Sequence, residues 1–133
     1  MNIGIIHGFV GGGGGIEKTL DAILTSLENT KHEITLYTFS KPKLSSKNIQ
    51  IKSLLPISIS SFGLYQRLME SKLILKAKNE DILIQASGGL GIPHNKNQKI
   101  IVYCQSDFSN ELDNPSTKYT GLWSLYYKLY YKK

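Results

Sequence analysis

Apolar positions change their period several times along the chain, and each change marks an element. Between Asn2 and Val10 the residues Ile3, Ile5, Ile6, Phe9 and Val10 leave no polar face, the pattern of a short parallel strand covered on both sides. Five glycines, Gly11 to Gly15, follow. Then Ile16, Leu20, Ile23, Leu24 and Leu27 recur at helical spacing, with Glu17, Lys18, Asp21, Thr25 and Glu28 around the rest of the surface. Strand, glycine turn and amphipathic helix open a βαβ unit.

The same alternation continues. Glu33 to Phe39 is β-branched and aromatic and reads as a second strand. A lysine- and serine-rich loop around Pro42 leads to Ile49–Leu55, whose alternation predicts a shorter edge strand closed by Pro56. Ser60 or Ser61 caps a predicted helix reaching Lys78, with Tyr65, Leu68, Met69 and Leu73 on one stripe and Arg67, Lys72, Lys76 and Lys78 on the remainder. Asp81 to Ile84 reads as a compact buried strand, and a second glycine-rich stretch, Ser87 to Gly91, follows it. Lys99 to Gln105 reads as another buried strand. After Asp113 to Ser116 breaks the chain, Leu122, Leu125, Tyr126, Leu129 and Tyr130 form a last helical stripe beside Trp123, Tyr127 and Tyr131. Together these elements predict an α/β domain with a Rossmann-like open parallel sheet flanked by helices. Its 133 residues suffice for one domain with a true core.

Composition narrows the chemistry. The single cysteine, Cys104, excludes an internal disulfide framework and suits a reducing compartment, here read as the cytoplasm. No metal and no cofactor are expected. The net charge of +6 rests on fifteen lysines and one arginine, Arg67. That disfavours base-reading nucleic-acid recognition, which leans on the arginine fork. It suits attraction to phosphates, including an anionic membrane face, or simply a solvated lysine surface.

Two glycine-rich stretches attract attention because parallel sheets bind ligands beyond the carboxyl ends of their strands. Without Cβ atoms, Gly12, Gly13, Gly14 and Gly15 let backbone amides converge, and the helix that follows adds its unpaired first-turn amides and positive dipole end. The loop is thus either a cradle for an anion or a merely flexible turn, since neither common nucleotide fingerprint fits it. Flanking it, His7 is a cleft residue or a structural histidine, Glu17 a ligand contact or a dipole partner, and Lys18 a phosphate partner or a solvated lysine. Ser87, Gly88 and Gly89 wall the cleft or make a turn. Gln105 is favoured as a site residue, because a polar side chain ending a buried strand at the ligand rim is hard to explain by packing.

Three stretches carry a resemblance. His7-Gly-Phe-Val followed by five glycines, Ile16, Glu17 and Lys18 resembles the strand-one exit of the family 4 retaining glycosyltransferases of GT-B fold, in the branch that extends lipid-linked oligosaccharides in the dolichol pathway. There a glycine run precedes Glu-Arg, and Lys18 stands in place of the arginine. The stretch from Asp81 to Gly91 resembles that branch's Asp-Ile-Phe-Ile-Asp-Thr-Met-Gly, and Ile101-Val-Tyr-Cys-Gln-Ser resembles the strand after it. Gln105 falls where many members carry a histidine near the transferred sugar.

The resemblance implies the amino-terminal, acceptor-side half of a GT-B enzyme, broken off inside its last helix. Its substrates would be a nucleotide-sugar donor and a lipid-linked or glycan acceptor, with catalysis waiting on a carboxyl-terminal Rossmann-like domain or subunit. The glycine loop would approach a diphosphate or the acceptor phosphate, and Gln105 would border the reacting sugar. The protein would be cytoplasmic and peripheral at the inner membrane face, and the stripe of Tyr119 to Tyr131 would pair it with a second copy. Two other classes remain open: a non-catalytic nucleotide- or phospholigand-binding module of flavodoxin-like build, and an interaction partner docking by its tyrosine-rich helix.

Overall fold

A computed structural model describes residues 1–8, 15–42, 48–56, 72–86 and 96–103. Its elements are β1 (Asn2–Ile6), α1 (Gly15–Glu28), β2 (Glu33–Ser40), β3 (Ile49–Leu55), β4 (Ile82–Gln85) and β5 (Lys99–Val102), with a further helical segment at 72–76. The five strands form one sheet in the order β3-β2-β1-β4-β5, and every pairing is parallel. This is the α/β parallel architecture that the alternating pattern predicts.

The chain runs outward from β1 to β2 and β3, then crosses back to place β4 on the other side of β1. The strand order therefore reverses between β1 and β4. A flavodoxin-like order would instead seat β3 beside β1, so that build is not the one found.

Burial explains which face each strand shows. β2 is buried from Ile34 to Ser40, as a strand flanked on both sides must be. β3 alternates between buried or half-buried and exposed positions in its first half, as expected of an edge. On one side of the sheet Ile5, Ile34, Leu36, Ile49 and Ala86 pack against Leu20 and Leu24 of α1, with Ile23 and Leu27 at the margin. Those four helix residues belong to the stripe read from the sequence. On the other side Ile6, Tyr37 and Leu83 pack against Leu73, Ile74 and Ala77, while Lys72, Lys76 and Lys78 are exposed. Each fully buried aliphatic side chain here contributes about 1.5–3 kcal/mol.

Three expectations shift. β1 ends at Ile6 rather than Val10, although His7 and Gly8 still bond to β2: the His7 amide donates to the Tyr37 carbonyl and the Phe39 amide to the Gly8 carbonyl, both at 3.0 Å. The fourth strand starts at Ile82 rather than Asp81, although Asp81 still bonds to β1: its amide donates to the Asn2 carbonyl at 2.9 Å and its carboxylate Oδ2 accepts from the Asn2 amide at 2.8 Å. β5 is not a buried strand. Ile101 and Val102 are 53% and 41% exposed, because β4 is its only strand neighbour among the described residues. The predicted helix before residue 72, its cap at Ser60 or Ser61, and the Tyr119–Tyr131 stripe lie outside the described residues. Among those described, no helix is long and apolar enough to cross a membrane.

At the amino-terminal edge polar groups close on one another. The Tyr37 side chain leans back across Gly4, and its hydroxyl donates to Glu80 Oε1 at 2.5 Å. Gln98 Nε2 donates to the carbonyls of Ala77 and Glu80, each at 2.8 Å. Gly4 makes this arrangement possible. A Cβ there would stand 2.8 Å from Leu83 Cδ2 and 2.9 Å from Glu80 Cγ.

Candidate functional site

The opposite edge of the sheet is built differently. Register aligns the residues on the α1 side of the sheet into rows running across the strands. The first row is Ile49, Ile34, Ile3 and Ile82, and the second is Ile51, Leu36, Ile5 and Ile84. One step further toward the carboxyl ends, the pairing of Thr38 with Ser53 puts a polar row where the apolar ones stop. His7 continues that row on β1, since its amide bonds Tyr37 just before Thr38. Ser40 lies one step beyond again, on the same face.

His7, Thr38 and Ser40 are all buried. Burying a polar side chain is costly unless a partner replaces water. Thr38 has one: its Oγ1 donates to the Ser40 carbonyl at 2.8 Å. The Ser40 hydroxyl, in a residue 1% exposed, has no hydrogen-bond partner, an arrangement that costs about 1–3 kcal/mol. On the other face Gln85, the last residue of β4, is buried as well.

The first turn of α1 faces the same edge. The helix starts from the loop that leaves β1, and its last carbonyl, Glu28 O, accepts a bond from Asn48 Nδ2 at 3.3 Å at the start of β3. Hence α1 runs back along the sheet, and its amino end points to the strands' carboxyl ends. Gly15 opens it, with nothing within 4 Å of where a Cβ would stand. Glu17 is half-buried in the first turn and Lys18 is exposed. The helix begins one residue earlier than the apolar stripe, because backbone geometry and not side-chain pattern sets its first turn.

Of the residues chosen from sequence, His7, Gly15, Glu17 and Lys18 are thus described, and all four flank the exit from β1. Gly12, Gly13, Gly14, Ser87, Gly88, Gly89 and Gln105 lie outside the described residues. The strands leading to the two glycine-rich stretches are nonetheless neighbours, with Ile6 paired to Gln85 and the Ala86 amide donating to the Ile6 carbonyl at 3.0 Å. The sheet's topological switch falls between them, the place where open α/β sheets receive ligands.

Thr38, Ser40 and Gln85 escaped the sequence reading. The criterion applied to Gln105, a polar residue ending a buried strand at the rim, picks out Ser40 and Gln85 equally well. Among the described residues, no group of three or more His, Cys, Asp or Glu is placed to hold a metal ion. Neither a protein-family model nor a curated protein sequence matches the chain.

Proposed function

We propose that this chain is the acceptor-side half of a retaining glycosyltransferase, which moves a sugar from a nucleotide donor to a lipid-linked or glycan acceptor once a second Rossmann-like domain closes over it. The observation that carries the reading is the reversal of strand order between β1 and β4, the two strands that lead into the glycine-rich stretches. A phosphate seated there would meet converging backbone amides and the amino end of α1. The resemblance of those same stretches to family 4 enzymes supplies the reaction class.

In such a reaction this half orients and the leaving diphosphate needs charge stabilisation. His7, Glu17 and Lys18 would line the approach from β1, and Ser87 to Gly89 the approach from β4. Gln105 would border the sugar and offer its amide as a hydrogen-bond donor. Exposed Lys41, Lys52, Lys72, Lys76 and Lys78 would hold the protein at an anionic membrane face, at about 1 kcal/mol per well-placed cation. The stripe at Tyr119 to Tyr131 would meet the second domain or another copy.

A half-cleft does not exclude water or grip the leaving group. The isolated chain should therefore release no nucleotide from a panel of uridine and guanosine diphosphate sugars. Transfer should appear when it is joined to the product of the adjoining coding sequence. Steady nucleotide release by the chain alone would overturn the divided site, and absence of transfer by the joined protein across donors would overturn the enzyme reading.

A further inference from the structure

The apolar rows beneath α1 end in a hydroxyl that packing does not need. We propose that Ser40 is a phosphoryl-binding residue, its hydroxyl donating to a phosphoryl oxygen held between the carboxyl ends of β1 and β2 and the first turn of α1. This rests on the reading of the carboxyl edge as the ligand-binding edge, and does not depend on which reaction follows.

Three observations converge. Ser40 is buried, and its Oγ has no partner, whereas Thr38 on the same face already spends its hydroxyl proton on the Ser40 carbonyl. Ser40 is therefore the donor left over on this face of β2. Second, α1 runs back along the sheet and brings its amino end to this edge, where the first-turn amides have no partners within the helix. A buried hydroxyl and a helix amino end on one side of one strand pair suit an acceptor bearing negative charge.

Third, the charges around the exit of β2 favour an anion. Lys41 follows Ser40 directly and is exposed, and Lys18 is exposed on α1; Glu17, half-buried, is the acidic residue of the first turn. In dinucleotide folds a carboxylate after the second strand takes ribose hydroxyls, while a cation there accommodates a phosphate. This chain carries Ser40 and Lys41 at that end of β2. The group they would take is a phosphoryl, whether of a soluble diphosphate or of a lipid headgroup.

The test follows backbone amides of Gly8, Gly15 and Lys41 by NMR during titration with inorganic pyrophosphate, in the whole chain and in Ser40→Ala and Ser40→Thr. Ser40→Ala should bind about tenfold to a hundredfold more weakly, the usual worth of a hydrogen bond to a charged acceptor. Its melting temperature should hold or rise, because the change removes an unbonded buried hydroxyl. Ser40→Thr, which keeps the hydroxyl, should retain binding. Parallel titrations with uridine diphosphate and with phosphatidylcholine vesicles carrying phosphatidate identify the source as whichever binds in a hydroxyl-dependent way. Equal affinity of wild type and Ser40→Ala for pyrophosphate would overturn the assignment of Ser40 alone, and so would loss of the fold in Ser40→Ala. No pyrophosphate response in the wild type would overturn the ligand edge with it.

Discussion

The two edges of one parallel sheet differ in one buried hydroxyl. At the amino-terminal edge, Tyr37 meets Glu80, Gln98 bridges the carbonyls of Ala77 and Glu80, and Asp81 meets the Asn2 amide. Backbone bonds of Glu33 to Met1, Asp81 to Asn2 and Lys99 to Asp81 tie the strand starts together. At the carboxyl-terminal edge His7, Thr38, Ser40 and Gln85 are buried, and Ser40 keeps an unspent hydroxyl. One edge spends its polar groups on holding the strands in register. The other buries one hydroxyl, that of Ser40, without a partner, on the edge where the chain order reverses.

That contrast makes different substitutions costly at the two edges. The largest effect belongs to Tyr37→Phe, which deprives the buried Glu80 carboxylate of its donor and should lower unfolding free energy by about 1.5–3 kcal/mol in urea titrations. Burial, and then the bond and the charge of Glu80, hold the Tyr37 hydroxyl well above its ordinary range. Its ionisation is therefore harder in the folded chain than in the unfolded one, where it begins at about pH 10. The stabilisation is full below that pH and drains away as pH rises past it. Wild type should accordingly lose more stability than Tyr37→Phe between pH 8 and pH 11, and identical pH profiles would show that the pair does not close this edge.

Gly4→Ala comes next. The new methyl must push Leu83 Cδ2 and Glu80 Cγ apart from β1, and such overpacking typically costs about 1–3 kcal/mol. A melting temperature unchanged from wild type would mean that the Tyr37–Glu80 pair has room to move. The smallest effect is expected at the other edge, where Ser40→Ala should change stability by no more than about 0.5 kcal/mol or raise it. A loss as large as that of Gly4→Ala would erase the distinction between the edges.

Legibility in the sequence follows the same division. Periodicity gave β2, β3 and α1 within a residue or two, because their apolar faces are what the core selects, and it placed β3 at an edge from its alternation. It misjudged β5: Lys99-Ile-Ile-Val is as apolar as a central strand, and only the sheet order shows that it has one strand neighbour among the described residues. Strand order was beyond reach of local pattern, since which strand pairs with β1 depends on contacts far apart in the chain. The glycine stretches and His7 could be noticed because they are unusual at their places. Ser40 and Thr38 could not, since a serine or threonine in a strand is ordinary until register shows that it ends an apolar column under a helix. Gly4 was hidden for the same reason, its need set by Leu83 on β4 and by Glu80 just before that strand.

The most direct test of this division is amide hydrogen exchange with and without saturating inorganic pyrophosphate. The probes are amides whose bonds mark each edge: His7, Phe39, Ala86 and Tyr103 at the carboxyl ends, and Glu33, Asp81 and Lys99 at the amino ends. The account predicts slower exchange on pyrophosphate binding for His7, Phe39 and Ala86, which lie at the exits of β1, β2 and β4, with Glu33, Asp81 and Lys99 unchanged beyond any uniform gain in global stability. Equal slowing at both edges, or slowing confined to the amino ends, would contradict it.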